Sequence, residues 1–312
     1  MISRGHGVPL KTVAIAVAGL IVPISPAGFA SQSQGGIEKS VLVSVAGDSS
    51  VPLTDLTAAD FRVREDGTAR PVLGARLATE TLFVALMVDT AKPMLGVTPP
   101  TQELRRAVTT FSEILDAADA DAKIALFEFG GAAVKTEDFT TPAILAKSLD
   151  HLIPDQRSGA VLFEAFVDAS RNLGEKPGPR RALVCISFGA PETSTVNPKK
   201  VLSDVEKSGA TAWAISVQDV EGTSSVQTGK QGVDNRSAPD REAFLNTVTQ
   251  ATGGLRLKAL EVSGLATHLK TIANALVSQY EVTYTRPAGA SVKKIQLELT
   301  RPGKVLMSPW IR

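Results

Sequence analysis

Nine residues, Thr81–Asp89 (TLFVALMVD), constrain the fold of this chain more than any others. Seven of the eight residues Thr81–Val88 are apolar, with no alternation between apolar and polar positions. A strand with one wet face alternates, whereas a strand buried on both faces reads as a continuous apolar run. The segment therefore predicts a central strand of a sheet covered by helices on both sides. The run stops at Asp89, and a short loop with Lys92, Pro93 and Gly96 follows before a helical pattern begins. In open α/β sheets, ligands bind at the carboxyl ends of the strands. Asp89 thus stands where function is expected.

From Thr81 onward, strands and helices alternate. Leu104, Ala107, Val108, Phe111, Ile114, Leu115 and Ala118 recur at steps of three and four, the stripe of an amphipathic helix. Asp121–Phe129 reads as the second strand. A helix opening at Thr141-Pro142 turns Ile144, Leu145, Leu149 and Leu152 inward, and another carries Val161, Leu162, Ala165, Phe166, Ala169 and Leu173 to a stop at Gly174. Arg181–Phe188 and Ala210–Val217 are strands around a helix begun by Asn197-Pro198. Helices near Asp240–Thr252 and Ser263–Ser278 flank a short strand at Gly254–Lys258. Residues 219–239 form a long polar loop. Such alternation implies a doubly wound, mostly parallel sheet with helices on both faces.

The flanking segments have the opposite character. Residues 37–80 suggest strands, with Asp66-Gly67 supplying the positive φ of a tight hairpin inside FRVREDGTARPVLGARL. Tyr280–Thr285 and Ser291–Thr300 alternate as a half-exposed hairpin would. The expected organisation is an export signal over 1–30, a Ser/Gln/Gly linker over 31–36, an N-terminal β segment over 37–80, the α/β domain over 81–279 and a β-hairpin over 280–312. The two end segments are expected to form a small antiparallel β unit.

Arg4 and Lys11 precede the apolar run Thr12–Ile24, and Gly28 and Ala30 place small residues before a cut after Ala30. The run is short for a membrane span; an uncleaved anchor is the alternative to a removed signal. Cleavage makes the chain periplasmic or secreted, with no membrane span left. Residues 1–30 hold two of the 33 bases and none of the 32 acids, so the remainder is close to neutral. Such a balance argues against a nucleic-acid partner. The single cysteine, Cys185, lies in the apolar strand RALVCISF and reads as a small core hydrophobe.

Several phrases carry a family resemblance. LTAADFRVREDGTARPV (Leu56–Val72), SGATAWAISV (Ser208–Val217), FLNTVTQATGGLRL (Phe244–Leu257), and YEVTYTRP followed by KKIQLELTRPGKVLMSP near the end stand in the order found in bacterial exported proteins with a von Willebrand factor A-related domain, which this chain resembles. The resemblance implies a doubly wound fold. Metal-binding members hold magnesium or a similar ion with five positions on three loops, the first reading Asp-x-Ser-x-Ser. Here Asp89 is kept, but Ala91 and Pro93 replace the serines. Ala160 stands where the second loop's threonine would be, and Phe188 stands where the third loop's aspartate would be, beside Ser187. Magnesium requires oxygen ligands in near-octahedral geometry, so four of five are missing and no cofactor is expected beyond weakly held magnesium. The residues that could still contribute are Asp89, Ser187 and Glu128.

The expected function is a non-catalytic protein-binding module, adhesive or scaffolding, acting on a protein partner in the envelope or outside. Its binding face would be Asp89, Thr90, Ala91, Lys92, Pro93, Gly159, Ala160, Phe188 and Gly189. A metal-dependent adhesion domain with an atypical site at Asp89 is the alternative. A hydrolase is more remote: Cys185-Ile-Ser187-Phe-Gly189 echoes a nucleophile elbow, but no helix follows the serine directly and no histidine is placed as base. Glu164 and Asp168 share a helix face expected to be solvated. Without an ion, Asp89 would be an unpaired strand-end carboxylate whose loss costs little.

Overall fold

The structure, a computed structural model, describes residues 36–46, 52–91, 100–119, 121–149, 152, 159–217 and 237–311. The expected signal, residues 31–35 of the expected linker, Lys92, Pro93, His151, Ser158 and most of the 219–239 loop lie outside them, while Gly36, placed at the end of the linker, opens the first strand. In chain order the strands are β1 (Gly36–Ala46), β2 (Phe61–Glu65), β3 (Thr68–Arg70), β4 (Val72–Leu77), β5 (Phe83–Asp89), β6 (Lys123–Phe129), β7 (Ala133–Thr140), β8 (Arg181–Ser187), β9 (Thr211–Val217), β10 (Arg256–Ala259), β11 (Gln279–Pro287), β12 (Ile295–Leu299) and β13 (Lys304–Ile311). The helices are α1 (Pro100–Ala118), α2 (Pro142–Ser148), α3 (Leu162–Gly174), α4 (Pro198–Ser208), α5 (Ser237–Ala251) and α6 (Leu265–Val277).

All seven residues of β5 are buried. It is the parallel neighbour of both β6 and β8. The six-stranded sheet runs β10-β9-β8-β5-β6-β7 and is parallel except for β7, which lies antiparallel on β6. Read from β7, the strands follow the doubly wound order 3-2-1-4-5-6, in which successive connections leave β5 to opposite sides. The reversal places the carboxyl ends of β5 and β8 side by side.

Alternation along each strand feeds two cores. Leu82, Val84, Leu86 and Val88 of the central segment pack under α1, α2 and α6, with Leu104, Val108, Phe111, Leu145, Leu269 and Ile272. Phe83, Ala85 and Met87 face α3, α4 and α5, with Phe163, Phe166, Val201, Leu245 and Val248. Cys185 belongs to this second core and is fully buried, as its apolar strand predicts. The helix signals act locally. Asn197 Oδ1 accepts from the Lys199 N–H at 2.9 Å and caps α4, Pro198 opens it, and Gly209 closes it at φ 70°. Ile144 departs from the expectation: half of its surface is exposed, because α2 spans only two turns and presents Leu145 to the core.

The chain ends build two small antiparallel sheets, β13-β1-β11-β4 and β12-β2-β3, around a shared core of Val41, Val43, Phe61, Val63, Tyr280, Val282 and Tyr284. Asp66 (φ 47°) and Gly67 (φ 82°) make the expected tight turn between β2 and β3. The C-terminal hairpin is not formed: β11 pairs with β1 and β4, while β12 pairs with β2 in the other sheet. Pro71, which lacks an N–H, separates β3 from β4 and sends them to different sheets. Strand β7 was not foreseen; its residues are half-exposed to exposed, as suits a sheet edge.

The two parts are tied by Arg180, which is 2% exposed. It pairs with Asp119 at 2.6 Å and donates to Gln279 Oε1 (3.0 Å), the Glu80 carbonyl (2.7 Å) and the Leu276 carbonyl (3.2 Å). No helix among the described residues is long and apolar enough to cross a membrane.

Candidate functional site

The switch between β5 and β8 brings Asp89, Ser187 and Phe188 together. Asp89 is the last residue of β5, and its side chain falls on the face of α3, α4 and α5. The strand-end carboxylate is fully buried and not unpaired. Oδ1 accepts the Ala91 N–H at 3.0 Å, and Oδ2 accepts the Phe188 N–H at 2.9 Å and the Ser187 hydroxyl at 3.5 Å. Burial pushes its carboxyl above the usual range, and these hydrogen bonds and the charge of Arg241 work against that rise.

The second loop lies under the third. The Ala160 N–H donates to the Pro191 carbonyl at 2.8 Å, and the Thr193 N–H returns to the Ala160 carbonyl at 2.8 Å. A Cβ on Gly159 would stand 2.5 Å from the Pro191 carbonyl oxygen, so only glycine permits this approach. The third loop then caps α3: Ser194 Oγ accepts the Phe163 N–H at 3.0 Å, and Glu192 accepts the N–H groups of Ser194 and Leu162. Glu164 accepts the Thr195 N–H at 2.7 Å and its hydroxyl at 3.1 Å. That carboxylate is thus a fastener for the third loop rather than part of a solvated face, whereas Asp168 pairs with exposed Arg171. The first loop joins through the Thr90 N–H on the Phe129 carbonyl at 3.2 Å.

These links close the cup. Asp89, Ala91, Ala160 and Ala190 are fully buried, and Thr90 and Phe188 nearly so. The expected binding face therefore needs correction. Of its described members only Gly189 is exposed, Gly159 is half-buried, and the rest are covered because the third loop folds over them. Lys92 and Pro93 lie outside the described residues.

The three candidate ligands do not converge. Ser187 reaches Asp89, but Glu128 alternates with Phe127 and Phe129 and points to the opposite face of the sheet. There it takes a hydrogen bond from Thr136, and desolvation pushes its carboxyl up. The described residues do not fit a magnesium ion. Ala91 and Ala160 bring no side-chain oxygen, Phe188 brings an N–H, both Asp89 oxygens already accept, and a buried cation, Arg241, stands nearby. Among the described residues no group of three His, Cys, Asp or Glu side chains could hold a metal.

Sequence reasoning missed Arg241 and Glu192. Arg241 of α5 is 4% exposed, donates from Nη1 to the Ala190 carbonyl, and has Nη2 3.8 Å from where a Gly189 Cβ would be. Its charge is attracted by Asp89 and by Glu192. The signal was present: Arg241, Phe244, Leu245 and Val248 fall at steps of three, four and seven, so an arginine stands in the inward stripe of α5. Glu192 gave no such signal in its polar loop. The hydrolase echo finds no support in the geometry, since Ser187 gives its hydroxyl to Asp89 and the ring of His268, on α6, contacts the Lys258 carbonyl of β10. Burial raises the Cys185 thiol well above its ordinary range, with the Asp89 charge adding to the rise.

No family model and no curated protein matches the chain. Among solved structures, BatB from Bacteroides thetaiotaomicron is 15% identical, with a TM-score of 0.47 over 62% of this chain and 98% of that one. The proximal thread matrix protein 1 of the mussel byssus is 12% identical, with a TM-score of 0.48 over 68% of this chain and 49% of that one. The SpRpn10 VWA domain is 10% identical, with a TM-score of 0.42 over 59% of this chain and 93% of that one. Overlays at this level identify neither an activity nor a partner. Strand order, the helix on each crossover and the placement of Asp89 at the switch make the described part of residues 83–277 a doubly wound α/β domain, the fold that these structures share.

Proposed function

We propose that the chain is an exported, non-catalytic protein-binding module of von Willebrand A type that works without a metal ion. The observation that carries this reading is the state of Asp89. The one retained acid of the first loop is fully buried and spends its oxygens on the backbone of Ala91 and Phe188 and on the Ser187 hydroxyl. A carboxylate engaged in this way holds loops together and is not offered to an ion bridging to a partner. What a partner meets at this edge is the outside of the third loop, where Gly189, Pro191, Thr193 and Thr195 are exposed. Hydrogen bonds to Asp89 of β5, to Ala160 and to α3 hold that loop in one shape, which lowers the ordering cost of binding.

Magnesium, manganese and calcium at millimolar levels are expected to leave the melting temperature of the native protein unmoved. An ion present at a hundredfold excess over its dissociation constant would add about 2.7 kcal/mol. For a chain of this size that is a rise of roughly 5 °C or more. Such a rise would replace this reading with a metal-dependent adhesion domain. The binding half is checked by affinity capture from an envelope fraction with native protein and with Pro191→Arg. Equal capture by both would place the contact elsewhere.

A further inference from the structure

The geometry points to Arg241 as a tethered counter-cation of the three-loop cup, doing permanently, from α5, the electrostatic work that a divalent ion does in metal-binding von Willebrand A domains. The inference rests on the metal-independent reading above and says what makes it possible.

Two acids stand at the closed cup. Asp89 ends β5 and is fully buried; Glu192, in the third loop, is half-buried, and its Oε2 is a buried oxygen without a hydrogen-bond partner. Charges withdrawn from water are costly unless an opposite charge accompanies them. Among the buried side chains around Asp89, Arg241 is the cation. It comes from an element outside the three loops, is 4% exposed, and is held against the third loop by its bond to the Ala190 carbonyl. It makes no direct ion pair with either carboxylate, and its charge acts on both at longer range. Its own Nε is buried without a partner, so hydrogen bonding alone does not account for its burial. Each side of the arrangement lacks something that the other supplies. The acids have no ion and the loops no ligand side chains, while an otherwise apolar helix face carries one arginine inward. A guanidinium stays charged at all ordinary pH values and cannot be lost by chelation. The cup therefore keeps its counter-charge whether or not an ion is present.

Three variants test this by thermal melting in chelator and in manganese chloride: Arg241→Met, Arg241→Lys, and Arg241→Met combined with Glu192→Gln. Methionine keeps most of the length and apolar stem and removes the charge. The expected pattern has three parts. Arg241→Met melts lower than native. Arg241→Lys keeps most of the native melting temperature. The double variant loses less than half of what Arg241→Met loses relative to its own Glu192→Gln parent. Should Arg241→Met give no folded protein, soluble recovery by Glu192→Gln reads the same coupling. An equal loss in both backgrounds would make Arg241 a packing residue and overturn the inference. Manganese raising the melting temperature of native protein instead overturns the metal-independent reading itself, so the two failures are distinct.

Discussion

Asp89 shows how far one residue can be read from sequence and where reading stops. Its place at the end of a doubly buried strand was legible from nine residues, and so was the loss of oxygen ligands at Ala91, Ala160 and Phe188. Its partners were not, because backbone N–H groups leave no trace in composition. An unpaired carboxylate could be removed at little cost, but this one cannot. Asp89→Ala is expected to strand the Ala91 and Phe188 N–H groups in a dry site and cost about 1–3 kcal/mol in chemical denaturation. A variant as stable as native would show that the loops hold without it. Arg241 escaped for a different reason: helix α5 meets the cup only through the winding of the sheet. An inward arginine in an apolar stripe is nevertheless a mark that sequence alone can show.

At the scale of elements, pattern length decided what was legible. Strands of the parallel sheet, buried on both faces, announce themselves as apolar runs. Edge strand β7 and the split of β3 from β4 at Pro71 carry short, mixed patterns, and their pairing is set by tertiary context. Pairing also hid Glu65, which looks like one more surface acid of a hairpin. It is 1% exposed and takes the Tyr284 hydroxyl at 2.7 Å, with Arg70 Nε at 3.0 Å and Arg286 Nε at 3.0 Å. Burial first, and then the hydrogen bond to Glu65, push the Tyr284 phenol up from 10.0 to about 12. The folded pKa therefore lies above the unfolded one. The contribution of the neutral phenol is fully present below pH 10 and is lost as pH rises toward about 12. At roughly 1.4 kcal/mol per unit, that rise sets an upper bound of about 2.8 kcal/mol. Denaturation midpoints across that alkaline range should fall for native protein and fall less for Tyr284→Phe. Parallel curves would remove Glu65 and Tyr284 from the account.

For the whole molecule, the ends decide whether the small sheets exist. Strand β11 lies between β1 and β4, so deleting Tyr280–Arg312 bares a bonding edge on each and takes Tyr280 and Tyr284 from the shared core. The truncated chain is expected to lose cooperative melting or to aggregate. A truncation that melts like its parent would show the tail to be appended. The same pairing sets a timetable. Ser40 and Thr283 touch across 243 residues of chain, so β1 emerges from the ribosome first among the strands and waits unpaired until almost the last. Closing so long a loop from an open chain is slow. The α/β domain shortens the search, because the end of α6 hands its Ser278 carbonyl to the Val45 N–H and delivers β11 beside β1. The expected order of assembly follows from this pairing: the helices and parallel strands set first, and the earliest strand is the last to find its place.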